Sequence, residues 1–392
     1  MESLDKNNQK IAIAIVAGEA SGDILGAGLI RSLKQTYPEA EFWGIGGERM
    51  LSEGFHTLYP IERLSVMGIF EPLKRLLELL KIRRNIIAHC LLKKPDIFIG
   101  IDSPDFNLNI EQKLKKNKIK TIHYVGPSVW AWRQSRIHKI KSATDLVLLL
   151  FPFEKLIYEH FQVNHECVGH LAAQEIPIEI NKYEYREKLG LSESDIIVAI
   201  LPGSRDSVIR YHTKLFAQSA KNLNTLWGKR HKNKIVYVTA MPNEKKLALF
   251  KKNWPKDLDI RCFVNQSREV LGAADIALLA SGTVSLEAML MKTPMVVAYK
   301  MSAVTFLIAK LLVKTKFVAL PNLIAQEEIV PEMIQGKAQP LLIAEKMLRF
   351  LVDLGYRDVI EEKFTEMHKF ILKDTHHLAA SSVISVLNKK HE

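Results

Sequence analysis

Cysteine is scarce in this 392-residue chain, and Cys90, Cys167 and Cys262 lie far apart with no Cys-x-x-Cys pair among them. That spacing excludes a disulfide framework and a zinc ribbon, and it fits a reducing compartment. The thirteen histidines offer no metal set: His376 and His377 read as a surface pair on a helix, and His165 and His170 flank a short strand. No metal and no cofactor is expected. Long apolar runs are missing too. The longest, over residues 301–318, is cut by Lys310, Lys314 and Lys316, so it does not read as a membrane span. The first residues, Met1-Glu2-Ser3-Leu4-Asp5-Lys6, lack the apolar core of a signal peptide. Acidic residues are outnumbered, with 43 Asp and Glu against 55 Lys and Arg, a formal charge of +12 with no long basic tail. Such a balance favours an acidic partner: nucleic acid, an anionic membrane or a phosphorylated substrate. Charge does not choose among them.

What is present is a steady alternation of short apolar runs with amphipathic segments. Residues 11–16, 41–45, 96–101, 120–124 and 145–150 read as buried strands, separated by helical patterns such as 24–35, 70–92 and 106–116. The alternation restarts at 196–201 and continues through 234–239, 260–264, 276–280 and 295–299. This spacing predicts an α/β protein with parallel sheets covered on both faces. Two runs of it, in a chain too long for one ordinary domain, predict two doubly wound Rossmann-like domains facing a central cleft. The polar stretch 181–194 is the expected junction, giving a first domain over 1–188 and a second over 189–356. Beyond Gly355 the pattern is helical to the end.

Two turns carry most of the chemistry. In Ile276-Ala277-Leu278-Leu279-Ala280-Ser281-Gly282-Thr283 a strand breaks and restarts as a helix, with Glu287 one turn in. Backbone N–H groups there face an anion, beside a carboxylate that can accept a pair of hydroxyls. Leu201-Pro202-Gly203-Ser204-Arg205 repeats the pattern with an arginine at its tip. Together they predict a site for a phosphorylated ligand, a nucleotide by preference.

In the first half, Ala17-Gly18-Glu19-Ala20-Ser21-Gly22-Asp23 follows the first strand without G-x-G-x-x-G spacing, and the next strand ends in Gly46-Gly47 with no acidic residue for a ribose. This disfavours NAD. Ser21 or Asp23 reads as a helix cap, though the turn holds more functional groups than capping needs. Asp102, in Gly100-Ile101-Asp102-Ser103-Pro104-Asp105-Phe106, stands at a strand's C-terminal tip and is favoured over Asp105 as a general base. Pro127-Ser128-Val129-Trp130-Ala131-Trp132-Arg133 reads either as a packed loop with aromatic anchors or as a platform for a sugar ring. Over 67–94, Leu73, Leu76, Leu77, Leu80 and Ile87 form one apolar face. Leu79, Ile82 and Ile86 are surplus to it, amid Lys74, Arg75, Lys81, Arg83 and Arg84. Core packing explains the main face; the surplus reads better as a surface resting on anionic lipid.

Taken in order, the turn 17–23, Ser65-Val66-Met67-Gly68, the 100–107 segment ending in Asn107, the 127–133 loop, Leu201-Pro202-Gly203-Ser204-Arg205, Ala280-Ser281-Gly282-Thr283 with Glu287, and Leu320-Pro321-Asn322 resemble the lipid-A-disaccharide synthase family. These are inverting glycosyltransferases of the GT-B type. The resemblance implies transfer of 2,3-diacylglucosamine from UDP to 2,3-diacylglucosamine 1-phosphate (lipid X), forming a β-1,6 disaccharide and UDP. It also implies a cytoplasmic enzyme peripheral to the anionic inner membrane of a Gram-negative bacterium. No metal is needed, nucleic acid is not a partner, and C-terminal helices over about 357–392 return to the first domain. Homodimers with exchanged C-terminal parts are one assembly open to related enzymes. On this resemblance Asp102 deprotonates the acceptor, and Ser204, Arg205, Ser281, Gly282 and Thr283 hold the diphosphate. Glu287 takes the ribose, and Asn322 is a further donor contact. Glu19, Ser21, Asp23, Met67 and Trp132 lie on the acceptor side, and Phe70, Leu73, Lys74, Arg75, Leu76, Leu77 and Lys81 meet the membrane. The chain departs from the family's usual residues at Gln174, Val208, Gln326 and Glu327, and Lys300 stands as an alternative cation near the diphosphate. Competing readings are an isomerase resembling UDP-N-acetylglucosamine 2-epimerase, a divergent low-activity paralogue, and a non-catalytic basic protein. The last would leave Asp102 and Glu287 without a job.

Overall fold

The computed structural model describes residues 11–64, 71–228, 231, 233–302, 305–307, 312 and 315–389, with the backbone alone for 71–75. Seven strands form one sheet: β1 (Ala12–Ala17), β2 (Glu41–Ile45), β3 (His56–Thr57), β4 (Ile97–Ile101), β5 (Lys120–Tyr124), β6 (Leu146–Leu149) and β7 (His165–Cys167). Six form another: β8 (Ile196–Leu201), β9 (Ile235–Met241), β10 (Arg261–Val264), β11 (Ile276–Leu279), β12 (Met295–Tyr299) and β13 (Glu332–Ile334). The orders are 3-2-1-4-5-6-7 and 10-9-8-11-12-13, and neighbouring strands pair in parallel, as β1 does with β4 and β8 with β11. Helices on both faces explain why the central strands read as unbroken apolar runs; all five residues of β4 are buried. Chain order reverses between β1 and β4, and again between β8 and β11. At such points an open α/β sheet leaves a crevice beyond its strand ends. The short edge strands β3 and β13 carry too few residues to show a period of their own.

The chain forms two compact units, one up to Gln174 together with the residues from Lys373, the other from Glu175 to Leu372. This differs from the boundaries the sequence predicts, for two physical reasons. The polar stretch 181–194 is no linker: its helix Lys182–Lys188 is held in the second unit by the buried Arg186. Arg186 pairs with Asp275 at 2.7 Å and donates to the carbonyls of Ala273, Glu193 and Asp195. At the other end, helix Leu354–Ile371 also belongs to the second unit, burying Ile360, Phe364 and Met367, and it touches helices Val284–Leu290 and Leu320–Ala325.

Helix Thr375–Asn388 alone packs into the first unit. Ala379, Ala380 and Val383 share a core with Ile13, Ile15, Leu29 and Ile30. The small alanines allow close approach to helix Ala20–Thr36, where a Cβ on Gly28 would come within 2.0 Å of the His376 ring. His376 is therefore packed between helices, while His377 is on the surface as expected. Lys120 Nζ donates to the carbonyls of Leu387 and Lys389, a cation placed where a helix's last carbonyls lack partners.

Helix Glu71–Lys93 turns its faces differently from the sequence reading. Ile82, Ile86 and Cys90 form the buried stripe, against Val16, Phe98 and Ile110. Leu76 and Leu77 face outward, 49% and 81% exposed. A helix with apolar residues all round does not reveal its phase; Cys90, two turns beyond Ile82, is the residue that completes the buried stripe. Met67 and Phe70 lie outside the described residues, as do the side chains of Leu73, Lys74 and Arg75.

Candidate active site

At the first switch point, β4 ends in two consecutive left-handed residues, Asp102 (φ 53°) and Ser103 (φ 45°), before helix Pro104–Lys115 begins. The side chain of Asp102 is half-buried at the strand tip. Asp105 lies on the exposed first turn, its carboxylate 2.6 Å from the Arg136 guanidinium. The β1 turn comes against the same spot: a Cβ on Gly18 would lie 1.9 Å from Ser103 Oγ, so glycine is what lets the two loops meet. Glu19 and Ser21 are exposed beside it. Helix Ala20–Thr36 starts with Glu19 at its N-cap and no side-chain cap, so neither Ser21 nor Asp23 caps it.

Asp23 faces inward instead. Its buried carboxylate accepts from the backbone N–H groups of Gly47, Arg49 and Met50, capping the short helix Glu48–Ser52 at 2.8–3.1 Å. The expected acceptor contact at Asp23 is thereby corrected: its oxygens are committed to the fold. The aromatic loop beyond β5 divides its roles. Trp130 is an anchor, edge-on to Phe153 and donating to the buried Glu154, whose carboxyl burial pushes up to about 7. Trp132 is exposed, with the Arg133 guanidinium 4.5 Å from its ring centroid.

The second switch point opens into a cavity of about 450 Å³. Gly203, Ser204, Arg205 and Val208 line one wall; Ala280 to Val284 and Glu287 line the other. Gly203 has φ 107° and Gly282 φ 149°, conformations that favour glycine and bring the backbone close to whatever fills the site. Arg205 is exposed at the rim, just before helix Asp206–Gly228, and the neighbouring Asp206 is neutralised by Lys246. Lys300 is exposed one residue beyond β12. Ser281 Oγ donates to the Val318 carbonyl, and Thr283 precedes helix Val284–Leu290. Each oxygen of Glu287 has a protein partner: Oε1 accepts from Arg268 Nε at 3.3 Å, and Oε2 from Ser267 Oγ at 3.4 Å. Arg268 also pairs with Glu175 at 2.9 Å.

Asn322 is where the sequence expectation fails most plainly. It is fully buried; its amide N–H groups donate to the Val330 carbonyl and Glu332, and its oxygen accepts from the N–H groups of Ile329 and Val330. Every polar atom is used in bracing the 318–332 segment, so none is left for a ligand. Sequence reasoning also missed residues the fold brings to the cavity: Met241, Pro242, Asn265, Ser267 and Tyr299, all at strand ends or just beyond. Behind them, His212 is buried with Nδ1 on the Val208 carbonyl and Nε2 accepting from the Lys300 N–H. It joins the Arg205 turn to the end of β12 as a neutral ring, and burial lowers its pKa. Among the described residues, no three His, Cys, Asp or Glu side chains gather to hold a metal ion. A wider cavity, about 680 Å³, lies at the N-terminal end of the first sheet, lined by Lys94, Lys118 and Lys120. Open α/β sheets present their ligand groups at the opposite end, beyond the C-terminal strand tips.

A family model described as lipid-A-disaccharide synthetase matches residues 13–383. The lipid-A-disaccharide synthase of Pasteurella multocida (strain Pm70) is 49% identical over 391 residues, covering 98% of this chain and 98% of its own. That of Haemophilus influenzae (strain Rd) is 48% identical over 391 residues, covering 98% and 99%. Among solved structures, the UDP-GlcNAc 2-epimerase of Neisseria meningitidis bound to UDP-GlcNAc matches with a TM-score of 0.59 at 12% identity, over 97% of this chain and 100% of that one. CalG4, the calicheamicin glycosyltransferase, matches at 0.57 and 13%, over 97% and 98%. At such identities the structures speak to the fold alone, two Rossmann-like units of the GT-B kind. The sequence relatives speak to more: this chain belongs to the lipid-A-disaccharide synthase family.

Proposed function

We propose that this chain transfers 2,3-diacylglucosamine from UDP to the 6-hydroxyl of 2,3-diacylglucosamine 1-phosphate, with inversion, giving the β-1,6-linked lipid A disaccharide 1-phosphate and UDP. It is a glycosyltransferase of lipid A synthesis that uses a UDP-sugar. The observation carrying this is the near full-length likeness to relatives bearing that name. An isomerase shares the nucleotide half of such a fold but has no use for a second substrate, and the relatives' name favours the transferase.

The residues divide the work by chemistry. Asp102 accepts the proton of the acceptor's hydroxyl as its oxygen attacks the anomeric carbon from the face opposite UDP. Negative charge then builds on the departing diphosphate. Ser204, Arg205 and the backbone at Ser281, Gly282 and Thr283 stabilise it, each lost contact costing about 3 kcal/mol of transition-state stabilisation. Glu287 accepts the ribose hydroxyls. Glu19, Ser21 and Trp132 stay on the acceptor side of the proposal; Asp23 and Asn322 leave it. The exposed Leu76 and Leu77, on one helix with the exposed Lys81 and Arg84, support peripheral contact with an anionic membrane. Among the described residues no helix is long and apolar enough to cross one.

The test is turnover of UDP-2,3-diacylglucosamine with lipid X, by wild type and Asp102→Ala, with and without EDTA. Wild type releases UDP and disaccharide regardless of EDTA; the variant loses at least about 100-fold in kcat. Undiminished turnover by the variant removes Asp102 as the base, and EDTA inhibition removes the metal-free mechanism.

A further inference from the structure

Beneath Asp102 lies a buried polar column that the transfer reaction does not itself use. Asn107, Glu111 and His123 are each fully buried. Asn107 and Glu111 stand one turn apart on helix Pro104–Lys115, facing β4. A Cβ on Gly100 would come within 2.2 Å of Glu111 Oε1 and 2.8 Å of Asn107 Cβ, so the missing side chain in β4 makes the room they occupy. Glu111 is tied to His123 Nδ1 on β5 at 2.7 Å.

The amide of Asn107 points at the strand tips. Its Nδ2 donates to the carbonyl of Asp102 at 2.9 Å, with further contacts to the carbonyls of Val16 at 3.2 Å and Ile101 at 3.4 Å. Its backbone N–H donates to the Ser103 carbonyl at 3.0 Å. It therefore grips the ends of β1 and β4 at the switch point and both residues of the left-handed pair. A non-glycine residue in that region is held there only when its surroundings over-determine it. Among the described residues, Asp102 and Ser103 are the adjacent pair of non-glycine residues with positive φ.

We propose that Asn107 is the positioning residue for Asp102, fixing the reversed backbone from which its carboxylate projects. This rests on the reading of Asp102 as the base, and a double-mutant cycle separates the two. The measurements are kcat and KM with UDP-2,3-diacylglucosamine and lipid X, UDP affinity, and the pH profile of kcat, for Asp102→Ala, Asn107→Ala, Asn107→Ser and the two doubles with Asp102→Ala. Asn107→Ala is expected to lose about 100-fold in kcat, the scale of one general base, and to keep its UDP affinity within twofold. Its acid limb should flatten, and the Asp102→Ala/Asn107→Ala double should fall no further than Asp102→Ala, because residues acting through one group do not add. Asn107→Ser keeps one donor and should recover about tenfold of the loss. Multiplying losses in the double, or a kcat for Asn107→Ala within twofold of wild type, overturns the positioning role. Full activity of Asp102→Ala overturns the base reading instead. If Asn107→Ala does not fold, the serine variant and its double decide by the same criterion.

Discussion

The proposed ribose contact at Glu287 can be tested with a magnitude taken from the site. Each carboxylate oxygen has one protein partner, Arg268 on Oε1 and Ser267 on Oε2, both beyond 3.2 Å. An ionised carboxylate offers about four acceptor positions, so both oxygens keep room for a hydroxyl. A hydrogen bond to a charged group contributes about 1.5–3 kcal/mol. Glu287 is 22% exposed, which argues for the lower end. Two ribose hydroxyls then contribute about 3 kcal/mol, and Glu287→Ala should weaken UDP binding about 150-fold, at 1.4 kcal/mol per decade. Removing a carboxylate near a diphosphate also relieves repulsion, so a single affinity mixes two effects. Titration calorimetry with UDP and 2′-deoxy-UDP separates them, because the relief is common to both ligands. Wild type should bind the deoxy ligand about tenfold more weakly. Glu287→Ala should bind the two within twofold of each other. A variant that keeps the wild-type ratio shows that the hydroxyls bond elsewhere, and the role of Glu287 falls with it.

Three further outcomes follow from the same contacts. Burial lowers the pKa of His212 below its ordinary 6.5. Above that pH the ring is neutral folded and unfolded; below it the unfolded chain takes up a proton that the native one resists. Stability should therefore fall as pH drops below 6.5, by up to about 1.4 kcal/mol per pH unit from this group. Urea unfolding should show a shallower fall in His212→Gln, and equal slopes would refute the assignment. Asn322→Ala strands the buried N–H groups of Ile329 and Val330 and should cost at least about 3 kcal/mol in urea unfolding. A variant with an unchanged midpoint and lost UDP affinity would return Asn322 to the ligand. Leu76→Ser/Leu77→Ser should reduce flotation with liposomes containing anionic lipid while leaving the unfolding midpoint within about 0.5 kcal/mol of wild type, the range of surface substitutions. Unchanged flotation would remove these leucines from the membrane surface.

The sheets were legible because a strand buried on both faces must be apolar throughout, as in Ile97–Ile101 and Ile276–Leu279. The turns were legible because glycine at Gly203 and Gly282, with Arg205 and Glu287 close by, is an unusual composition for a simple connection. What stayed hidden is polarity directed inward. Asp23, Arg186 and Asn322 each look like surface or site residues in a linear sequence, and each is consumed by backbone groups that lie 24, 87 and 8 residues away. Burial of a polar side chain depends on whether distant main-chain groups need a partner, and local sequence carries no record of that need. The phase of helix Glu71–Lys93 was hidden for the opposite reason: apolar residues on every side fit several faces equally well.

The two switch points solve one geometric problem with different residues, and the difference bears on function. In the second unit the reversed backbone falls on glycines, Gly203 and Gly282, where the absence of a side chain lets main-chain N–H groups approach a ligand. In the first unit it falls on Asp102 and Ser103, which carry side chains and so hold a left-handed conformation at roughly 1–2 kcal/mol each. Glycine at position 102 would relieve that cost at once. Its place is taken by a half-buried carboxylate, braced from below by Asn107 and with Gly18 wedged against its neighbour Ser103. Strain kept at a strand tip where a cheaper residue fits the backbone is intelligible when the side chain itself is what the site needs. That is the ground on which the proposed base is Asp102, rather than the solvent-facing and ion-paired Asp105.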